Sequence, residues 1–283
     1  MNQVKHLIDF RQDIKQQISF SLQEDIGNGD ITASLIPAGA TATAAVFVRE
    51  AAVICGQDWF NEVYLQINRD IDIKWQVNDG DDVVPGQTLC TLTGQARSLL
   101  TGERTALNFL QTLSATATLA RKYATTLKGL QTKILDTRKT VPGLRLAQKY
   151  AVKCGGCNNH RIGLYDAILI KENHIMAAGS IKAAMKSARQ TTDKPIEVEI
   201  ENLLQLEEAL NAGATRILLD NMDMETLEKA VAVNAHRAEL EASGGIRLEN
   251  VRATAETGVD YISVGSLTKN IKAIDLSMRI LMD

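Results

Sequence analysis

Aromatic side chains are scarce in this 283-residue chain, at 4%. A core must then be filled mainly by Leu, Ile, Val and Ala, as helix-on-sheet layers are. Proline is short as well, at four residues, and no Pro-rich linker or low-complexity run marks a hinge. Positive charge is not in excess: the formal net charge is −3 and the pI is near 5.9, which argues against nucleic acid or an anionic membrane as the dominant partner. No apolar run is long enough to span a membrane. The opening stretch MNQVKHLIDFRQDIKQQISF alternates apolar and charged residues and has no apolar segment of signal-peptide length. The four cysteines, Cys55, Cys90, Cys154 and Cys157, are too few for a disulfide framework and fit a reduced, cytoplasmic setting. Cys154 and Cys157 have the spacing of a zinc or redox pair, but no second close pair completes a ligand set, so they are not read as a metal site. His6, His174 and His236 have no visible partner and are read as structural. The absence of GxGxxG and P-loop patterns disfavours Rossmann and kinase-type folds.

What is present is a change of texture along the chain. Apolar residues at helical spacing (Val4, Leu7, Ile8, Ile14, Ile18, Leu22) predict one or two helices in residues 1 to about 25. From about Thr41 to Thr93, short β-branched runs separated by Gly and Asp turns predict an antiparallel sheet. Residues 102–128 predict a long helix with Leu107, Leu110, Leu113 and Ala117 on one face. After Gly129, six short apolar strands alternate with helical segments: TKILDT, AILIK, PIEVEIE, TRILLD, AELEA and DYISV. Such alternation implies right-handed crossovers and a parallel sheet. A complete (β/α) barrel has eight strands, so six imply an incomplete one. The long helix bridges two domains on this reading, with a soft boundary between them.

Nearly every barrel strand ends in a residue able to do chemistry: Asp136-Thr137-Arg138-Lys139, Lys171, Glu199 with Glu201, Asp220, Ser243 and Gly265. Function gathers at that face of a barrel. Arg138, Lys139, His160, Arg161 and Lys171, with Arg104, concentrate positive charge in a negative protein. Guanidinium grips carboxylate bidentately and lysine offers phosphate a point charge, so a polyanionic small substrate is implied. The bland reading, solvated surface ion pairs, suits any one of these residues better than the whole set. Glu197, Glu199 and Glu201 alternate, which predicts that all three point to one side of their strand. Three carboxylates in a barrel would need compensation by those cations or by Mg²⁺, with Asp220 as a further hard oxygen ligand. Ser243-Gly244-Gly245 and Val264-Gly265-Ser266 follow late strands, where glycine lets the backbone approach a phosphate.

The stretches EDIGNGDIT (24–32), GERTALNFLQ (102–111), DTRKTVPGLR (136–145), KYAVKCGGCNNHRIGLYDAILIKENHI (149–175), VEIENL (198–203) and DYISVGSLTK (260–269) resemble the quinolinate phosphoribosyltransferase family across nearly the whole chain. Cys157 departs from the glycine expected there. The resemblance implies a type II phosphoribosyltransferase that joins quinolinate to phosphoribosyl pyrophosphate and releases pyrophosphate and carbon dioxide, giving nicotinate mononucleotide for NAD synthesis. It implies an α/β sandwich over residues 1–115, whose last helix links to an incomplete α/β barrel over 116–283, with a C-terminal helix packing back on the first domain, and an obligate dimer or a hexamer of dimers, with Arg104 entering the neighbouring subunit's site. Thr137, Arg138, Lys139, His160, Arg161 and Lys171 would bind substrate, with Lys139 and Lys171 also facing pyrophosphate. Glu199 and Asp220 would hold the ribose hydroxyls and Mg²⁺, and Ser243, Gly244, Gly245, Val264, Gly265 and Ser266 the 5′-phosphate. Lys139, Lys171, Glu199 and Asp220 would be the catalytic set. Competing readings are the paralogue found beside molybdate-transport genes, a noncatalytic barrel that binds phosphorylated metabolites, and a Schiff-base aldolase using Lys171.

Overall fold

The computed structural model describes residues 10–281. In chain order these form α1 (Phe10–Ile26), β1 (Thr41–Val48), β2 (Ala52–Val53), α2 (Gln57–Ile67), β3 (Asp72–Trp75), β4 (Asp82–Val83), β5 (Thr88–Gln95) and α3 (Ala96–Thr126). There follow β6 (Lys133–Leu135), α4 (Arg145–Cys154), β7 (Ile168–Ile170), α5 (Glu172–Ala178), α6 (Ile181–Thr191), β8 (Ile196–Ile200), α7 (Leu203–Asn211) and β9 (Arg216–Asp220). The chain ends with α8 (Met224–Asn234), β10 (Glu239–Ser243), α9 (Val251–Glu256), β11 (Tyr261–Ser263), α10 (Ser266–Lys269) and β12 (Leu276–Leu281).

Two compact units result. The first takes residues up to Leu119, Leu146–Gly155 and Ile271 onward; the second takes Ala120–Arg145 and Gly156–Asn270. The first unit thus also takes in α4 and the C-terminal strand. The C-terminal helix expected from sequence is a strand. Ile274, Leu276, Met278 and Ile280 alternate with polar residues, which is the strand period, and β12 pairs antiparallel with β1 from Thr43↔Leu281 to Val48↔Leu276. The first unit's sheet has the order β12-β1-β5-β3. Ile14, Ile18 and Leu22 are the buried stripe of α1, as their spacing predicts; Val4, His6, Leu7 and Ile8 lie outside the described residues.

The second unit's sheet is parallel, ordered β6-β11-β10-β9-β8-β7. That is chain order with the first strand joined to the last, as in a barrel open between β6 and β7. A short bridge from Leu135 to Asn158 lies on the free edge of β6. All six strands read from sequence are present. The intervening helices start at capping side chains: Ser180, Asn202 and Asp223 each accept a hydrogen bond from a backbone N–H three residues on, a contact worth about 1 kcal/mol apiece.

Leu107, Leu110, Leu113 and Ala117 are all buried on α3, and the close approach of α2 to α3 is made possible by Gly102. A Cβ at that position would lie 2.7 Å from Tyr64 Cε1 and 3.0 Å from Ile67 Cδ1. Tyr64 is itself buried and donates to the Leu99 carbonyl at 3.2 Å, so its ring has little room to yield. Gly102→Ala should therefore destabilise the protein by about 1–3 kcal/mol through overpacking, although alanine favours a helix interior by about 1 kcal/mol. Urea unfolding checks this: a midpoint that rises in the variant would refute it.

Candidate active site at the barrel mouth

Strand register sorts the barrel's inward side chains into levels. Ser243 pairs with Asp220, while Glu241 pairs with Leu218 and with Tyr261. Glu199 also pairs with Leu218. Residues in register on neighbouring parallel strands face the same way. Asp220 and Ser243 thus stand at the carboxyl ends of their strands, Glu199 and Glu241 one level below them, and Arg216, beside Glu197, deeper still.

Below the rim lies a closed charge network. Arg216 Nε donates to Glu197 Oε1 at 3.1 Å and its Nη2 to Glu241 Oε2 at 2.6 Å. Ser263 Oγ donates to Glu241 Oε1. His160 Nε2 lies 2.8 Å from Glu197 Oε2 and 3.5 Å from Glu241 Oε1. His160 Nδ1 accepts the Arg161 backbone N–H at 2.7 Å, so the ring carries its proton on Nε2, toward Glu197. Burial opposes charge on His160, but the bond to Glu197 and the charges of Glu241 and Glu197 outweigh it and raise its pKa. Burial also pushes Glu241 up, helped by the charge of Glu197. Burial acts the same way on Glu197, yet His160 and Arg216 prevail and hold it below the usual carboxylate range.

Glu197, one of the three alternating acids, anchors His160. Glu201 corrects the expected triplet. It lies past the end of β8, exposed, with its N–H donating to Gln205 Oε1 at 2.7 Å, and strand alternation no longer sets its direction. The strand-end rule does not reach Arg216 and Glu241, which stand earlier in their strands, and it takes Gly265 rather than Ser263 for β11. Alternation carries the signal: Arg216 is two and four residues before Leu218 and Asp220, and Glu241 is two before Ser243.

The mouth holds most of the predicted cations. Arg161 Nη1 donates to the Ala167 carbonyl at 3.0 Å, and its pKa is lowered first by burial and next by the nearby charge of Arg138. Arg138 Nε is buried and makes no hydrogen bond. The loop bearing these residues is pinned by Asp136, which is fully buried and accepts Asn159 Nδ2 at 2.7 Å and the His160 N–H at 2.9 Å. Thr137 Oγ1 accepts the Lys139 N–H at 3.1 Å, and Thr268 Oγ1 donates to the Lys139 carbonyl at 2.7 Å. Lys139 also runs beside Gly265, where an added Cβ would lie 3.2 Å from its Cδ. Lys171 Nζ donates to Glu199 Oε2 at 2.7 Å. His174 is not partnerless: its Nδ1 accepts the Lys171 N–H at 2.9 Å, fixing the start of α5.

Asp220 Oδ2 accepts Asn221 Nδ2 at 3.0 Å. Gly244 is required here, since its φ is +96° and a Cβ would fall 2.0 Å from Asn221 Oδ1; Gly245, at φ +64°, faces open space. Val264 is buried, and Ser266 Oγ lies 3.2 Å from the Tyr123 hydroxyl. Cys157 donates to the Ala120 carbonyl at 3.2 Å, and burial pushes its thiol up to about 12. Arg104 belongs to the first unit, exposed on α3 and 3.8 Å from Glu103.

The mouth can therefore receive an anion between two guanidiniums and two lysines, above an interior whose own charges are already matched. Among the described residues, no helix is long and apolar enough to cross a membrane. The chain is 42% identical over 267 residues to a Bacillus subtilis protein named "Probable nicotinate-nucleotide pyrophosphorylase (carboxylating)", covering 94% of this chain and 92% of the relative. It is 38% identical over 290 residues to the mitochondrial quinolinate phosphoribosyltransferase (decarboxylating) 2b of Nicotiana tabacum, covering 95% and 82%. A solved nicotinate-nucleotide pyrophosphorylase from Francisella tularensis superimposes with a TM-score of 0.94 at 47% identity, covering 96% and 97% of the two chains. Models of the N-terminal and C-terminal domains of quinolinate phosphoribosyl transferase match residues 30–114 and 116–279, and the chain belongs to that family.

Proposed function

We propose that this mouth transfers the phosphoribosyl group of phosphoribosyl pyrophosphate to the ring nitrogen of quinolinate, releasing pyrophosphate and carbon dioxide and leaving nicotinate mononucleotide. The observation that carries the reading is the Arg138–Arg161 pair. Two guanidiniums that repel each other, one with a buried N–H lacking an acceptor, are an unfavourable arrangement by themselves, because an unmade buried hydrogen bond costs about 1–3 kcal/mol. A dicarboxylate supplies both the charge and the acceptor.

In this reading Thr137, Arg138, His160 and Arg161 hold the pyridine dicarboxylate, and Lys139 and Lys171 face the pyrophosphate. Lys171 exchanges its contact with Glu199 for a contact with the leaving group, which frees a carboxylate near the ribose as positive charge develops at the anomeric carbon. Glu199 and Asp220 also face the ribose hydroxyls. The glycine segments 243–245 and 264–266 take the 5′-phosphate through backbone N–H groups. Ribosylation makes the ring nitrogen cationic, and that cation stabilises the carbanion left when the adjacent carboxylate departs; a proton then replaces it.

Glu199 and Asp220 fit Mg²⁺ by donor chemistry, being hard carboxylate oxygens on adjacent strands. Among the described residues neither belongs to a cluster of three close potential ligands, which suits an ion held largely by water and substrate phosphates. When bound, it neutralises the departing pyrophosphate. The Lys171–Glu199 ion pair weighs against a Schiff base, which needs a desolvated, uncommitted amine. Cytoplasmic placement accords with four cysteines none of which is in a disulfide.

We also propose that Arg104 acts in the neighbouring subunit of a homo-oligomer, a dimer or a hexamer of dimers. Its exposure on α3 accords with a role outside its own protomer.

Incubation with quinolinate, phosphoribosyl pyrophosphate and Mg²⁺ should yield nicotinate mononucleotide, with nicotinate a poor acceptor; equal use of nicotinate would defeat the pocket assignment. Arg138→Ala should lower kcat/KM for quinolinate by a factor corresponding to about 2–5 kcal/mol, as for loss of one partner of a buried charged pair; a loss under tenfold would contradict it. Mixing inactive Arg104→Ala with inactive Lys171→Ala and allowing subunits to exchange should restore activity to about a quarter of wild type, since half the dimers are hybrids with one intact site. No recovery despite demonstrated exchange would place Arg104 outside a shared site.

A further inference from the structure

A second group of ligand-forming side chains lies within the first unit. Cys55 lies two residues before α2, Asp79 sits in the turn between β3 and β4, and Cys154 ends α4; one potential ligand atom from each lies within 4.8 Å of the others. We propose that these three residues form a binding site for a thiophilic divalent cation, zinc above all.

The local structure holds the three in place without an ion. Gly56, at φ +117°, and Gln57 open α2 by donating their N–H groups to Asp79 Oδ1 at 3.0 and 3.3 Å. The chain on either side is tied by Ile54 N–H to the Asp81 carbonyl at 3.0 Å and by Gly80 N–H to the Ile54 carbonyl at 2.8 Å. Cys55 is fastened to α3 twice, its N–H donating to Ser114 Oγ at 2.9 Å and its carbonyl accepting from that hydroxyl at 3.2 Å. On α4, Tyr150 and Cys154 are four residues apart and so share a face. The Tyr150 hydroxyl donates to Asp79 Oδ2 at 2.9 Å, orienting the carboxylate as partners of metal ligands commonly do. Tyr150 is in turn wedged against Trp59 and Phe10, with ring centroids 5.8 and 5.9 Å away.

Burial raises the pKa of Cys55, with further contributions from Cys154, Asp79 and Asp58. It raises that of Asp79 too, against three hydrogen bonds that lower it. Cys154 moves the other way, lowered chiefly by a hydrogen bond from the Cys55 thiol. A cation between the sulfurs would take the place of their shared proton. In doing so it forms two metal–sulfur bonds, and the displaced thiol protons pass to solvent.

Zinc fits the dimensions. With Zn–S of about 2.3 Å and Zn–O of about 2.0–2.2 Å, a tetrahedral ion sets its two sulfurs roughly 3.8 Å apart and each sulfur roughly 3.5 Å from the oxygen, inside the observed spread. A simple disulfide between the cysteines would make no use of Asp79. The soft sulfurs and single carboxylate also separate this site from the all-oxygen set at the barrel mouth. Such an ion would tie the end of α4 to the start of α2.

The test uses the full chain, reduced and stripped by a chelator. Titrated Co²⁺ should give thiolate-to-cobalt charge-transfer absorption, and Zn²⁺ competing with a chromophoric chelator should bind at one ion per chain with release of protons. Cys154→Ser should abolish the charge-transfer band and weaken zinc at least about tenfold, while its turnover, which serves as the folding control, stays at the wild-type level. Asp79→Asn should weaken zinc but keep the band. Two results would overturn the proposal: equal zinc binding by wild type and Cys154→Ser, or no zinc uptake by the reduced chain.

Discussion

The barrel interior depends on Arg216. Glu197 and Glu241 are 4% and 0% exposed, and a buried carboxylate without a partner costs several kcal/mol. One guanidinium touches both, at 3.1 and 2.6 Å, binding β8, β9 and β10 through their side chains as well as their backbones. Glu197 then fixes the His160 ring, and the backbone at His160 carries Arg161 beside it. The position of a mouth residue thus follows from an ion pair well below it, and replacing Arg216 by a neutral residue would disturb three strands before it reached any substrate.

This arrangement reconciles a net charge of −3 with a site for polyanions. Inside the barrel, Glu197 and Glu241 share Arg216 and are hydrogen-bonded to His160 and Ser263. At the mouth, the charge of Arg138 lowers the pKa of Arg161, and the Arg138 Nε finds no acceptor. Lys171 is matched by Glu199, but half of its side chain is exposed, so the pair is in position to exchange partners. Selectivity for an anion therefore belongs to a few residues at strand ends and says little about the surface as a whole.

Much of this was legible in the sequence, and the reason is period. Six strands, the stripe Leu107–Leu110–Leu113–Ala117 and the polar strand ends all follow from spacing within one element. The strand-end rule found Arg138, Lys139, Lys171, Glu199 and Asp220 for the same reason. What escaped depended on distant partners. Cys154 reads as half of a pair with Cys157, three residues on, yet it meets Cys55 and Asp79, while Cys157 turns to the Ala120 carbonyl. The strand character of residues 276–281 was encoded in their alternation, but nothing local shows that β1, over two hundred residues earlier, is waiting for them. Arg216, the first residue of β9, is a lone cation at the start of an apolar run, and only its distant partners Glu197 and Glu241 give it a role.

The same alternation explains why the site tolerates no slip. Arg216, Leu218 and Asp220 point inward together, as do Glu239, Glu241 and Ser243. By register they build three levels, Arg216 with Glu239, then Leu218 with Glu199 and Glu241, then Asp220 and Ser243 at the rim, and the ion pairs of Arg216 with Glu197 and Glu241 join the first two. Moving one strand by a single residue would turn its acids and bases outward and apolar neighbours inward. It would leave Arg216 or the two carboxylates buried without a partner. The ion pairs thus penalise the wrong register more heavily than they stabilise the right one, and the register they enforce is the one that brings the cations of separate loops to a single mouth.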